Sequence, residues 1–204
     1  MPAALDHDYH VLARSKLPLD TVKLARYLIG KIVVRATRAG ILSGRIVETE
    51  AYPVGDAAGH AYRGETARTR TLFLSRGHAY VYLAYGTSYM LNVSSEAVGV
   101  GAGVLIRALE PLKGIKTMQR NRRVQNLRDL ARGPGRLATA FGIDRRLDGI
   151  DLCRKGPLWL AHDLSPALKI NTGTRIGLSK EAHRPLRFYA RDNRFVSGPK
   201  ALNR

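Results

Sequence analysis

An α+β fold, mainly antiparallel and in one domain, follows from three features of the sequence. β-Branched and aromatic runs dominate residues 31–109, while helical spacing is confined to short pieces. Two pairs of strand patterns are joined by short glycine-containing turns, which read as hairpins. At 204 residues the chain has the length of one domain with a sizeable core.

Residues 1–17 read as an N-terminal arm, and 18–204 as the single domain. Asp20 can N-cap a helix through Leu28, with Val22, Leu24, Ala25 and Leu28 apolar and Gly30 ending it. Residues 31–37 and 41–52 are strand runs joined by Arg38-Ala39-Gly40. Residues 53–74 form a polar stretch too long for a plain connection, which marks it as functional or mobile. A second hairpin, 78–85 and 89–95, turns at Gly86, and 103–109 is another strand. From Pro111 to about Arg123 the spacing becomes helical. Lys113, Lys116, Arg120 and Arg123 then share one basic face, which a solvated helix explains as well as a binding surface does. Gly133-Pro134-Gly135 opens a helix through Phe141 that Gly142 can close. Residues 157–160 and 186–190 return to strand character.

Thirty-four Lys and Arg face 16 Asp and Glu, for a formal net charge of +18. Such a balance points to a polyanionic partner, nucleic acid or an anionic membrane. No apolar run approaches the roughly 20 residues of a membrane span. The start of the chain lacks the pattern of a secretory signal. The single cysteine, Cys153, excludes an intrachain disulfide framework and a cysteine-rich zinc site. The cytoplasm is the expected compartment, at the nucleoid in a bacterium, with nucleic acid as the better-placed polyanion.

Against this basic background one acid stands out. Glu50 ends a strand pattern and shares its face with Tyr52, as Tyr80 does with Tyr82. Tyr85 has the opposite parity and stands beside the Gly86 turn, so it should project from the hairpin tip, away from the pocket face. Asn92 and Arg107 are polar residues among apolar neighbours in the next two strands, either satisfied structurally or placed for function. Each feature has a duller explanation. Glu50 alone is an ordinary strand carboxylate, and Glu48, on the same face, fits a surface or salt-bridge role. His60 fits a solvent-exposed loop residue, and Tyr80 a half-buried sheet residue. The six histidines lack zinc-site spacing, and no H-x-E with P-C-x-x-C occurs, which argues against a zinc deaminase.

In order, Glu50-Ala51-Tyr52, His60, Thr66-Ala67-Arg68-Thr69-Arg70, Tyr80-Val81-Tyr82-Leu83-Ala84-Tyr85-Gly86, Leu91-Asn92-Val93-Ser94 and Leu105-Ile106-Arg107-Ala108-Leu109-Glu110-Pro111 run through the chain. Gly133-Pro134-Gly135-Arg136-Leu137, Arg175-Ile176-Gly177 and Pro185-Leu186-Arg187-Phe188-Tyr189 follow. Together they resemble the 3-methyladenine DNA glycosylases of the alkyladenine (alkylpurine) type, over nearly the whole span from Asp20 to Ser197. The resemblance implies one domain around a curved, mainly antiparallel sheet with flanking helices and a protruding hairpin that inserts into DNA. It implies a monofunctional glycosylase that flips alkylated or deaminated purines from duplex DNA and hydrolyses the N-glycosidic bond, starting base excision repair. Glu50 would activate water, with Arg107 and the Ile176 backbone carbonyl holding it. Tyr52, His60 and Tyr82 would contact the flipped base, and Asn92 would screen the purine edge. Tyr85 would fill the gap in the minor groove, and Arg68, Arg70 and Arg136 would meet the DNA backbone. No metal or other cofactor is implied. The partner is damaged double-stranded DNA and no membrane, and the protein a monomer.

The chemistry agrees with that assignment. A departing purine leaves an oxocarbenium-like sugar, and one carboxylate can both deprotonate water and stabilise the cation. An alkylated purine already carries positive charge and needs little acid help. Hypoxanthine would need protonation, and no residue declares itself as the acid. The sequence also departs from the family pattern. Thr69 stands where Asn is usual, Thr87 where a larger apolar residue is common, and Arg76 where Pro is frequent. Gly59 is expected to loosen the loop ahead of His60. Three rivals remain: a basic RNA- or DNA-binding module without catalysis, a helix-hairpin-helix glycosylase built on Gly133-Pro134-Gly135, and a protein that coats DNA. The strand-rich first half disfavours the second, and release of free base separates the family reading from the other two.

Overall fold

β3 (Gly40–Tyr52) is the strand on which the rest of the fold is hung. The computed structural model describes residues 9–199, and residues 1–8 of the expected arm lie outside that range. Ile46, Val47 and Ala51 of β3 are buried in the main core with Leu109, Phe141 and Phe188. β2 (Ile32–Thr37) pairs with the first half of β3 across a two-residue turn, with Thr37 opposite Gly40. β9 (Arg187–Ala190) takes over along the second half, opposite Glu48 to Glu50. The other edge of β3 pairs with β6 (Gly103–Lys113) for almost its full length.

The remaining strands extend this centre. β4 (Ala79–Ala84) and β5 (Ser88–Ser94) form a hairpin that joins β6 through β5. β7 (Leu158–His162) pairs with β2, β1 (His10–Val11) with β7, and β8 (Ile170–Gly173) with β9. The path β1-β7-β2-β3-β6-β5-β4, with β9 and β8 off it, curls into an antiparallel half-barrel. The expected α+β class and antiparallel sheet are therefore found.

Three α-helices occur among the described residues. α1 (Thr21–Leu28) begins where expected, with the Asp20 side chain accepting from the Lys23 N–H at 2.7 Å. It buries Leu24, Ala25 and Leu28, and Thr49 of β3 donates to the Ala25 carbonyl. α3 (Pro134–Phe141) starts on Pro134 and stops at Gly142, whose φ of 60° is the left-handed stop expected there. α2 (Ile115–Arg122) is shorter than its sequence pattern. Pro111 to Lys113 continue β6, so Lys113 leaves the basic face, which keeps exposed Lys116, Arg120 and Arg123.

Two further segments carry structure that the sequence pattern did not show. The segment 53–74 is ordered by two 3-10 turns, His60–Arg63 and Arg70–Phe73. Within the stretch read as an arm, His10 and Val11 pair with β7, and Leu12 and Leu17 are buried. Two-residue strands such as β1 carry too little periodicity to be legible in sequence.

The pairing of β3 with β6 is broken by bulges where the site will lie. Ile46 faces Leu109 and Glu48 faces Ala108, so the register passes over Val47 on β3. Thr49 then faces Ile106, so it passes over Arg107 on β6. A bulge bends its strand and re-aims the extra side chain, and bulges concentrate beside active sites.

Candidate active site

Glu50, in the last turn-free stretch of β3, is completely buried. Its Oε1 accepts from the Ile176 backbone N–H at 2.8 Å and is paired with Arg107 Nη1 at 3.1 Å. Its Oε2 accepts from the Tyr52 hydroxyl at 2.9 Å. Three donors from three parts of the chain thus fix one carboxylate. Burial raises its proton affinity above the ordinary carboxylate value, against the opposing pull of Arg107, the Ile176 N–H and Tyr52. Burial pulls the Arg107 guanidinium the other way, but Glu50 and Glu48 more than reverse this and hold it above its usual value. A carboxylate whose burial outweighs its hydrogen bonds and ion pair is a stronger base than a solvated one.

Beside this group opens a cavity of about 320 Å³, within the usual range for small-molecule sites. Tyr52, His60, Tyr80, Tyr82 and Asn92 are among its walls. Glu50 is not among them, and the Tyr52 hydroxyl links it to the cavity. The Tyr80 and Tyr82 rings stack with centroids 5.3 Å apart, and His60 meets Tyr82 at 4.4 Å, tilted by 62°. His60 Nδ1 lies 3.0 Å from the Tyr80 hydroxyl. His60 as a residue is exposed, but its ring is shielded by the two tyrosines. That shielding, and then the nearby Arg68, hold the imidazole below its ordinary value, so it is neutral at pH 7. Burial pushes the Tyr82 phenol up to about 12 and raises Tyr52 and Tyr80 as well, which keeps all three hydroxyls protonated donors. Asn92 is buried, and its Nδ2 donates to the Tyr80 carbonyl at 3.2 Å.

Tyr85 sits at the tip of the β4–β5 hairpin and is 91% exposed. Its φ of 51° and the 69° of Gly86 are the paired left-handed values of a tight hairpin turn, closed by the Thr87 N–H to the Ala84 carbonyl. Strand parity therefore ends at Ala84. Tyr85 also lines the mouth of the cavity, contrary to the expectation that it turns away from the pocket. Arg70 and Arg136 are exposed, Arg136 at 3.9 Å from Asp129. Arg68 is exposed too, but its guanidinium lies over the Tyr82 ring at 5.6 Å, at the cavity rim.

The methylpurine-DNA glycosylase family model matches residues 15–194. The chain belongs to that family. Proteins with the name "Putative 3-methyladenine DNA glycosylase" are similar to it along their length. One from Mesorhizobium japonicum is 68% identical over 195 residues, 96% of this chain and 94% of that one. One from Paraburkholderia phytofirmans is 53% identical over 191 residues, 94% and 90% of the two chains. One from Methanoculleus marisnigri is 44% identical over 183 residues, 87% and 94%. The family chemistry is hydrolysis of an N-glycosyl bond in DNA, and this chain is a DNA-repair glycosylase of that kind. Among the described residues no helix is long and apolar enough to cross a membrane, and no cluster of three His, Cys, Asp or Glu could hold a metal ion.

Several residues of this candidate site escaped the sequence. Glu48 is not on the surface; it is fully buried between Arg107 and Arg187, the salt-bridge alternative. Tyr80 is 1% exposed and belongs to the cavity wall, which its shared parity with Tyr82 could have signalled. Arg175 pairs with Asp56 inside the protein, Nη2 at 3.2 Å from Oδ1, and packs 4.7 Å from the Tyr52 ring. It joins the segment that carries Ile176 to the pocket loop. Gly59 has an extended φ of −80°, so the loop does not use its conformational freedom. A Cβ there would stand 3.2 Å from the Asp56 carbonyl, a tight contact that glycine avoids.

Proposed function

We propose that the protein flips a methylated purine out of duplex DNA into the aromatic cavity and hydrolyses its N-glycosidic bond with water activated by Glu50. The observation that carries this is the buried Glu50 carboxylate, gripped by Arg107, Tyr52 and the Ile176 N–H at the edge of a tyrosine-lined cavity. Glu50 takes the proton of the attacking water and its charge stabilises the developing sugar cation. Arg107 and the Ile176 carbonyl hold that water. Tyr52, His60 and Tyr82 sandwich the base, and their electron-rich rings favour a cationic alkylpurine. Asn92, fixed by its bond to Tyr80, screens the purine edge. Tyr85 takes the place of the flipped base from the minor-groove side, and Arg68, Arg70 and Arg136 meet the phosphates. The net charge of +18 supports binding to the DNA polyanion. The protein acts as a monomer.

Glu50→Gln tests the reading. It keeps shape and hydrogen bonding but removes the base and the charge. Single-turnover release of 7-methylguanine from duplex DNA should fall by about 10²–10⁴-fold, with lesion-DNA binding retained in a gel-shift assay. A variant that keeps more than about a tenth of the rate removes Glu50 from the chemistry.

A further inference from the structure

Two carboxylates, Glu48 and Glu50, project from the same side of β3, and both are fully buried. Arg107 stands between them, with Nε 3.1 Å from Glu48 Oε1 and Nη1 3.1 Å from Glu50 Oε1. Glu48 is engaged on every side. Its Oε1 also takes Arg187 Nη1 at 2.9 Å, and its Oε2 takes the Ser197 backbone N–H at 2.7 Å. Arg187 is itself wholly buried and donates through Nε to the Thr174 carbonyl at 3.0 Å. Thr174 lies two residues before Ile176, whose N–H holds Glu50. The same cluster thus reaches Glu50 by two routes, through Arg107 on β6 and through the segment after β8.

We propose that Glu48, together with Arg187, is a positioning element for the reaction: it sets the orientation of Arg107 and through it the basicity of Glu50. The inference rests on Glu50 being the base. Glu48 is fully buried and bonded to Arg107, Arg187 and the Ser197 N–H, so it acts only through its neighbours. The bulge that passes over Arg107 gives this residue no cross-strand partner to hold it in register. Its side chain is instead held by what it meets, Glu48 at Nε and Ser197 Oγ at 3.4 Å from Nη2. A guanidinium is planar, so fixing Nε fixes the direction in which Nη1 points. Arg107 shared between two carboxylates also screens Glu50 less than Arg107 devoted to it alone. The groups facing Glu50 are Arg107 from β6, Glu48 and Tyr52 from β3, and the Ile176 N–H. Arg175 is further off, behind the Tyr52 ring, and Arg187 is directed at Glu48. Of these, Glu48 raises the proton affinity of Glu50 and the three donors lower it.

The test is the pH dependence of single-turnover 7-methylguanine release, since this cationic base needs no acid. The rate rises with pH as Glu50 ionises. In Glu48→Gln the acid limb should move to lower pH, because the neighbouring negative charge is gone. The plateau should fall about tenfold, because Glu50 is then a weaker base and Arg107 less well aimed. A purely structural Glu48 would lower the amount of active protein without moving the limb. Because Glu48→Gln leaves Arg187 buried without its carboxylate, the double variant Glu48→Gln/Arg187→Met, which removes both charges, is measured beside it. An acid limb unmoved in a folded variant, single or double, overturns the proposal. Glu50→Gln in the same assay keeps the two ideas apart. Its full activity would remove the base itself, whereas its inactivity beside an unshifted Glu48→Gln profile would remove only the positioning role.

Discussion

The second half of β3 and the tip of the β4–β5 hairpin are opposite ways of holding a side chain for which we propose a function. At β3, Glu50 is completely buried and held by three donors, behind which Arg107, Glu48 and Arg187 form a closed set of charges. At the hairpin tip, Tyr85 is 91% exposed and is held by little more than its turn, with φ at 51°. In the first region each charge is paired with the next. The second can be changed without disturbing the rest. Buried ionic groups couple chemistry to folding, whereas an exposed aromatic on a tight turn separates them.

The largest effect that contrast predicts is at Arg107. Arg107→Ala should lower single-turnover excision by about 10²–10³-fold, the usual loss for one electrostatic contact to a reacting centre. It should also cost about 3–5 kcal/mol of stability, since it leaves Glu48 and Glu50 buried without their shared partner. Urea unfolding beside the kinetics reads both losses. Arg107→Lys keeps the charge but cannot serve two carboxylates through one planar group, and should lose rate with less stability. A loss of rate with unchanged stability would break the comparison, because β3 would then be as separable as the hairpin.

A smaller effect, of the opposite kind, is expected at Tyr85. Unstacking a flipped base is offset by aromatic stacking of about 1–3 kcal/mol. Tyr85→Ser should therefore reduce excision of well-paired lesions by about tenfold or more, and of mispaired lesions much less. Its stability should stay within about 0.5 kcal/mol of the parent, as for exposed positions generally. Ethenoadenine fluorescence in lesion duplexes would report the flipped fraction directly. Equal, undiminished rates on paired and mispaired lesions would deny Tyr85 any part in flipping, and would leave its place at the cavity mouth as the remaining role to examine.

The same two regions differ in how well they were legible in the sequence. The hairpin was readable from a few adjacent residues, because alternation and Gly86 are local signals, whereas the parity of Tyr85 misled, since the turn ends the alternation at Ala84. The cap of α1 by Asp20 and the stop of α3 at Gly142 were readable for the same reason. The charge cluster was not. Glu48 meets Arg107 and Arg187 across 59 and 139 residues of chain, and Arg175 meets Asp56 across 119. No periodicity connects such distances. The bulge at Arg107 is invisible to a period-two pattern, since one inserted residue reverses every facing after it. Glu50, Arg107, Tyr52 and Tyr82 were picked out through the resemblance of ordered motifs, and Tyr80 was not. Charge counting alone placed Glu48 no more firmly than on the surface or in a salt bridge.

The smallest effect distinguishes the regions by sign. Burial raises the proton affinity of Glu50 in the folded protein, against the pull of its three donors. A carboxyl whose folded value is raised contributes stability that is fully present below the unfolded value, about 4.5, and lost as pH rises through the folded one. Wherever it is ionised, Glu50 is therefore a cost to the fold, one that its proposed role as base would explain. Glu50→Gln removes that cost while keeping acceptor and size, so its melting temperature should exceed the parent's at pH 7. The gap should narrow as the pH is lowered toward 4, where the parent carboxyl becomes neutral too. Calorimetry of both proteins at the two pH values measures it. Tyr85→Ser, with no buried charge involved, should follow the parent at both. A Gln variant less stable than the parent at pH 7 would mean that the pairing with Arg107 outweighs desolvation. Glu50 would then be holding the fold together, and the tension between stability and chemistry assigned to this end of β3 would be absent.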